Sequence, residues 1–346
     1  MARRRWIDDV DAAIAAHSFS GVVSIRRGDE RLMERAVGYA DRSNRVANAL
    51  DTRFGIASGT KFLTALAIGT LIAEGQITLS THLRECLKVE FPRYAPNITI
   101  EHLLTHTSGI PDYFDEEKVA NVEHFSVGRP WYEFRGPRDY LPVFPDEPMK
   151  FEPGARFSYS NGGFILLGVI VEELTGGSFQ QYVEERLLRP IGITRSGFYS
   201  FDRLPENTAF GYIDEERGWR TNIYSLPIIG ASDGGMYFTA PELVTLWRAF
   251  WAGEVLPMEL VDQFATPRVC VDPERSSTRY GLGLWIHLEP GARPIHYIEG
   301  SDAGVSFRSR CARDSALVTS VISNTTRGAW PVLRAIAEAL RAEGLE

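Results

Sequence analysis

This chain has little sulfur, no long apolar run and no surplus of positive charge, and each shortage removes a class of function. Its three cysteines, Cys86, Cys270 and Cys311, are odd in number and lack metal-ligand spacing, which suits free thiols in a reducing compartment. No run of 18 apolar residues occurs, so no membrane span is expected. The net charge of -8 leaves too few clustered lysines and arginines to grip phosphates, so no nucleic-acid partner is expected. The seven histidines form no ligand pair at helical spacing, the carboxylates form no calcium-type loop, and no glycine-rich nucleotide loop follows a strand. Neither a metal nor another cofactor is therefore expected. The basic start Arg3-Arg4-Arg5 resembles the opening of a secretory signal, but Trp6-Ile7-Asp8-Asp9-Val10-Asp11 sets three carboxylates where an apolar segment should follow. A cytoplasmic location is the resulting expectation, and nothing in the sequence sets the oligomeric state.

What is present is enough apolar material for a large core: 44% of 346 residues are hydrophobic against 24% charged. One big domain, or two intimately joined ones, is expected. Near the start, Ile7, Val10 and Ile14 share a helical face, and alternating segments on either side of Gly28-Asp29 signal a hairpin. From about residue 80 to 229 the pattern predicts helices and long irregular loops, with helices near 99–105, 163–174 and 179–188. Past Gly235 strand character returns, at 281–288, 295–299, 305–311 and 316–323, before a last helix over 330–342. The expected division is a discontinuous α/β sheet domain, 1–79 and 230–346, with an inserted helical domain, 80–229. Residues 113–153 hold Phe114, Phe125, Trp131, Tyr132, Phe134, Tyr140, Phe144 and Phe151 with little periodicity. They read either as an aromatic-pinned cover or as a lid that shapes substrate access.

The densest chemical signal is Ser58-Gly59-Thr60-Lys61, which opens an apolar helical run through Phe62, Leu63, Leu66, Ile68, Leu71 and Ile72. Residues three apart share a helix face, so a desolvated Lys61 amine can take the proton of the Ser58 hydroxyl. Alone, the tetrad is equally an N-capping serine followed by a surface lysine. Downstream, Phe157-Ser158-Tyr159-Ser160-Asn161-Gly162-Gly163 opens another helix and can bring a phenol and an amide into one cleft. A phenol beside a lysine cation should have its pKa lowered toward that of a useful base, although a core tyrosine next to a capping serine fits the same segment. In Leu103-Leu104-Thr105-His106-Thr107-Ser108-Gly109 the histidine reads as a hydrogen-bonded turn residue. In Tyr297-Ile298-Glu299-Gly300-Ser301-Asp302, glycine permits close approach, and the N–H of Ser301 can join that of Ser58 as an oxyanion hole.

In this order, with Asp233-Gly234-Gly235-Met236 between the last two segments, the chain resembles the class C β-lactamase and penicillin-binding-protein family of serine hydrolases, including its family VIII esterases. The resemblance implies an α+β fold of the β-lactamase/transpeptidase type, with a central antiparallel sheet flanked by helices and a mostly helical insertion. It implies Ser58 as acylated nucleophile, Lys61 as its activator, Tyr159 as general base and leaving-group acid, and Asn161, Gly300 and Ser301 as substrate contacts. One departure stands out. Where the family commonly places Lys or His two residues before the glycine, this chain has Ile298, so the cation that holds a substrate carboxylate is missing. His296 reads as a satisfied strand histidine. Three functions follow: an esterase or amidase on small acyl substrates; a β-lactamase or D-amino-acid peptidase with a cation from elsewhere, such as Arg308; and a ligand-binding pseudoenzyme.

Overall fold

The computed structural model describes residues 5–274, 277–291 and 293–345; Arg3 and Arg4 of the basic start lie outside them. Helix α1 (Arg5–Ala16) buries Trp6, Val10 and Ile14, spaced four apart, and leaves Ile7 half-covered at the edge of the same face. The hairpin follows as β1 (Gly21–Arg27) and β2 (Glu30–Val37), turning at Gly28, whose φ of +55° suits glycine. Successive side chains of β1 leave opposite faces of the sheet. Val23 and Ile25 pack under α1, whereas Val22 enters the main core.

The main core surrounds α2 (Thr60–Ala73) and α3 (Asn161–Thr175). Both are buried on nearly all sides, from Phe62 to Leu71 in one and Phe164 to Val171 in the other. A helix apolar all round belongs inside a large core. Ser160 caps α3 by accepting the N–H of Gly163 at 3.0 Å, and Gly176, at φ +71°, ends it.

After Gly235 the expected strand character is interrupted by two helices, α4 (Ala240–Trp251) and α5 (Met258–Ala265). The signal was there to read: Thr239 caps α4, accepting from the Glu242 N–H at 3.3 Å, and Leu243, Leu246, Trp247 and Phe250 keep helical spacing. The strands are β3 (Val269–Cys270), β4 (Thr278–Tyr280), β5 (Trp285–His287), β6 (Ile295–Asp302), β7 (Val305–Ala312) and β8 (Leu317–Ser323). The stretch expected as one strand from 281 to 288 is strand only at β5, because Gly281–Leu284 form the connection from β4. The eight strands run in the order β2-β1-β8-β7-β6-β5-β4-β3, antiparallel throughout. Helix α6 (Ala329–Ala342) lies beside α1 over one face of this sheet, and the larger core covers the other.

The segment expected to be helical and irregular also contains a hairpin, Tyr212–Glu215 with Gly218–Thr221, turning on Glu216 and Arg217. Residues 113–153 are irregular apart from short 3-10 turns. Their aromatic rings join in a closed circuit, Tyr113, Phe114, Phe125, Trp131, Phe134, Tyr140 and back to Tyr113, with neighbouring centroids 4.3 to 6.5 Å apart. Among the described residues no single helix is long and apolar enough to cross a membrane.

Candidate active site

Ser58 stands at the centre of a 3-10 turn, Ala57–Gly59, that leads into α2. Ala57 adopts φ +46°, a conformation that costs an L-residue roughly 1–2 kcal/mol. The turn is held from several sides. The Thr60 hydroxyl donates to Ala57 O at 2.7 Å, the Met236 N–H donates to that hydroxyl at 3.0 Å, and the Ile56 N–H reaches Met236 O at 2.9 Å. Strand β6 crosses so close at Gly300 that a Cβ there would lie 2.3 Å from Ile56 O and 2.6 Å from Ser58 N. Glycine is therefore required at 300, and Ser301 next to it is exposed.

Lys61 is fully buried, one turn along from Ser58. Its Nζ lies 3.0 Å from Ser58 Oγ, 2.7 Å from Asn161 Oδ1 and 2.6 Å from Asp233 O. Two of these partners can only accept, so both need a hydrogen from the nitrogen. The third position faces Ser58: as an ammonium Lys61 donates there, and as a neutral amine it turns a lone pair to the hydroxyl proton. Burial pushes the Lys61 pKa below its ordinary 10.5, opposed by Asp233, Glu116, Asp302 and Asp112. Asn161 spends its amide hydrogens on Phe114 O (2.9 Å) and Glu116 Oε1 (3.2 Å), which orients its carbonyl toward Lys61.

Tyr159 places its ring centroid 4.9 Å from Lys61 Nζ, with Ser58 close enough to its phenol to favour ionisation. The expected lowering of its pKa is reversed. Burial and the charge of Glu116 hold the phenol well above 10, and the lysine next to it is itself held back from ionising. Tyr159 is thus a protonated donor at neutral pH. His106 packs against its ring at 4.3 Å and Trp285 stacks beyond at 6.0 Å. The imidazole is fully buried at φ +57°; Nδ1 accepts the Ser160 N–H at 3.0 Å and Nε2 faces the Tyr280 hydroxyl at 3.2 Å. It is a neutral turn residue that aligns the Tyr159 segment.

The alternative cation does not reach the cleft. Arg308 is bound by Glu299, Nε to Oε2 at 2.9 Å, and rests over Tyr297 and Trp330 at 4.8 and 5.8 Å. The Ser58 side of β7 is carried instead by Phe307, which packs on Gly59. Ile298 is buried in the main core, and His296 Nε2 binds Ala265 O at 2.9 Å.

Ser58 and Asn161 open onto a pocket with about 970 Å³ of empty space, part of it continuous with solvent. Its walls include Tyr113, Phe114, Phe125, Trp131 and Tyr140 of the aromatic circuit, together with Asp233 and Asp302. Sequence reasoning missed these two carboxylates, and Glu116 with them. Only the Asp-Gly-Gly stretch and the residues flanking Gly300 could have drawn attention to the two aspartates, and no motif marks Glu116. Among the described residues no cluster of His, Cys, Asp and Glu could hold a metal ion.

Residues 5–343 match the family described as Beta-lactamase. The chain belongs to the beta-lactamase family. It is similar to a penicillin binding protein from Bacillus halodurans of known crystal structure: 42% identity over 95% of this chain and 99% of that one, with a TM-score of 0.89. It is 33% identical over 214 residues to esterase EstB of Burkholderia gladioli, covering 59% of this chain and 53% of EstB. It is 26% identical over 315 residues to PbpX of Bacillus subtilis (strain 168), covering 90% of this chain and 72% of PbpX. Curated relatives of this beta-lactamase-family chain are longer than it is, the match spanning 37% to 72% of their length. The family is one of serine hydrolases, and this chain is an enzyme of that class.

Proposed function

We propose that the protein hydrolyses esters or amides of small acyl groups through an acyl-enzyme on Ser58. The observation that carries this reading is the Lys61 nitrogen, buried between two fixed acceptors with its third position on Ser58 Oγ. Neutral Lys61 takes the hydroxyl proton as Oγ bonds to the acyl carbon. The N–H groups of Ser58 and Ser301 receive the oxyanion. On collapse the bond to the leaving group breaks, Tyr159 gives that group a proton, and the Lys61 ammonium returns one to Tyr159. Water then repeats the sequence with the roles exchanged, releasing the acid and restoring Ser58. On this reading residues 80–229 supply Tyr159, Asn161 and the aromatic wall, while residues 1–79 and 230–346 supply Ser58, Lys61 and Gly300. The three cysteines, none in a disulfide, support a cytoplasmic setting.

Efficient turnover of carboxylate-bearing β-lactams is disfavoured, because Ile298 is apolar and Arg308 is already paired. The test is incubation with a fluorophosphonate followed by mass spectrometry, beside a chain-length panel of nitrophenyl esters and a chromogenic cephalosporin. A single adduct on Ser58, absent in Ser58→Ala, with ester turnover, is the expected result. An unmodified protein overturns the reading; stoichiometric acylation without turnover would instead indicate a binding protein.

A further inference from the structure

The chemistry proposed above leaves one buried carboxylate near it unused. Asp112 follows the turn at Gly109 and is 9% exposed. Its Oδ1 accepts two backbone N–H groups, that of Phe114 at 3.0 Å and that of Gly162 at 3.0 Å. The first bond closes a turn that fixes the backbone of Tyr113 and Phe114. The second ties this turn to the first residues of α3, where free N–H groups and the helix dipole favour a negative charge. The cation nearby, Lys150, is bonded to Asp115 at 2.9 Å.

The two residues that Asp112 fixes are the ones that hold the partners of Lys61. Phe114 O accepts from Asn161 Nδ2 at 2.9 Å, and Asn161 Oδ1 accepts from Lys61 Nζ at 2.7 Å. The Tyr113 hydroxyl donates to Asp233 Oδ2, which anchors that residue, and Asp233 O accepts from the same lysine nitrogen at 2.6 Å. Gly162, the other donor to Asp112, directly follows Asn161. Each acceptor that leaves Lys61 one position for Ser58 is thus tied through a neighbour to a single carboxylate. Stacking of Phe114 on Phe125, at 4.3 Å, holds the ring but sets no direction for the Phe114 carbonyl; the turn on Asp112 sets it.

We propose that Asp112 is a positioning residue for acylation: its two backbone hydrogen bonds hold Asn161 and, through Tyr113, Asp233 where they direct the Lys61 nitrogen at Ser58 Oγ. The proposal rests on the serine-hydrolase reading and deepens it. Lys61 presents its lone pair to the hydroxyl only while both fixed acceptors take its hydrogens. A displaced acceptor turns that lone pair away, which costs rate and leaves substrate affinity nearly unchanged.

The test measures the burst rate of Ser58 acylation by a nitrophenyl ester, with each variant's active sites counted by fluorophosphonate labelling. Asp112→Ala should acylate roughly 10²-fold more slowly per active site, with the ester's dissociation constant nearly unchanged. Asp112→Asn keeps the accepting oxygen and should stay within about tenfold of wild type, because a neutral acceptor bonds about half as strongly. Tyr113→Phe keeps the ring, loses the bond to Asp233 and should cost roughly tenfold. In an Asn161→Ala background, adding Asp112→Ala should cost clearly less than it does alone, since one of its two routes is already cut. Fewer active sites in Asp112→Ala, each reacting at the wild-type rate, overturns the proposal, because that is a folding defect. Asp112→Asn as slow as Asp112→Ala also overturns it, by assigning the effect to charge and not to the hydrogen bonds. If Asp112→Ala does not fold, Tyr113→Phe decides, and a wild-type rate there overturns the proposal. No adduct on wild-type Ser58 overturns the hydrolase reading and the proposal together; a wild-type adduct with unslowed variants overturns the proposal alone.

Discussion

Lys61 Nζ lies 3.0 Å from Ser58 Oγ, one helical turn along the same chain segment, and Lys61 is buried. Asn161 Oδ1 and Asp233 O occupy its other two hydrogen-bonding directions. An amine held this way loses ionisation to burial and gains a fixed direction for its lone pair. Replacing Lys61 by Arg keeps a cation that cannot deprotonate in a protein. Lys61→Arg should therefore lower the rate of Ser58 acylation by roughly 10²–10⁴-fold, read as the burst phase with a nitrophenyl ester.

The pH profile follows from the signs of two shifts. As the proposed base, Lys61 acts when neutral, and its pKa lies below 10.5, so kcat/KM for an uncharged ester should rise with pH and level off before that value. As the proposed acid, Tyr159 acts when protonated, and its pKa lies well above 10, so it adds no falling limb near neutrality. A bell centred below pH 8 with an uncharged ester would contradict the assignment of these two roles.

Tyr159 is needed most where the leaving group is basic. Tyr159→Phe removes the proton donor and keeps a ring to pack on His106 and Trp285. Turnover of an anilide or alkyl ester should fall by about 10²–10⁴-fold, and that of a nitrophenyl ester by clearly less. Equal losses across a leaving-group series would assign the proton to another residue.

Gly300→Ala sets a methyl group against Ile56 O and Ser58 N. Because the contacts are backbone, the nucleophile turn or β6 must shift, at a cost of about 1–3 kcal/mol. Activity should drop with only a modest loss of melting temperature, measured by calorimetry alongside ester turnover.

Asp302 is also a stability element whose sign is set by burial. Its folded pKa, about 7, exceeds the ordinary 3.8, so its favourable contribution is complete below 3.8 and lost as pH rises through about 7. The groups responsible are Asp233 and Glu116, with Lys61 opposing them. Asp302→Asn should raise the melting temperature of the ligand-free protein at pH 8 by roughly 2–4 °C, and the gain should shrink toward pH 5. A gain independent of pH would show that packing, not charge, sets the effect.

Legibility followed the range of the interaction. The Gly28 hairpin, the capped start of α3 and the helix carrying Lys61 rest on contacts within a few residues, and spacing alone marks them. Helix α4 was equally readable, by a cap and an i, i+3, i+4, i+7 stripe, but surrounding strand-like segments masked it. The eight-stranded order was not readable in any local window: β1 pairs with β8, the two ends of the fold, from Gly21 against Ser323 to Arg27 against Leu317.

The sequence by itself determined that Ser58 and Lys61 share a helix face, that Tyr159 and Asn161 open another helix, and that Ile298 brings no cation, because periodicity and residue type are local properties. Tertiary structure alone decided the charge states of the site. Lys61 meets Asn161 and Asp233 from 100 and 172 residues away, and the same folding gathers Asp302 and Glu116 around it. Desolvation and Coulomb energy depend on depth and distance in the folded chain. That is why the Lys61 amine is held below its ordinary pKa, Tyr159 stays protonated, and carboxylates gather beside Ser58.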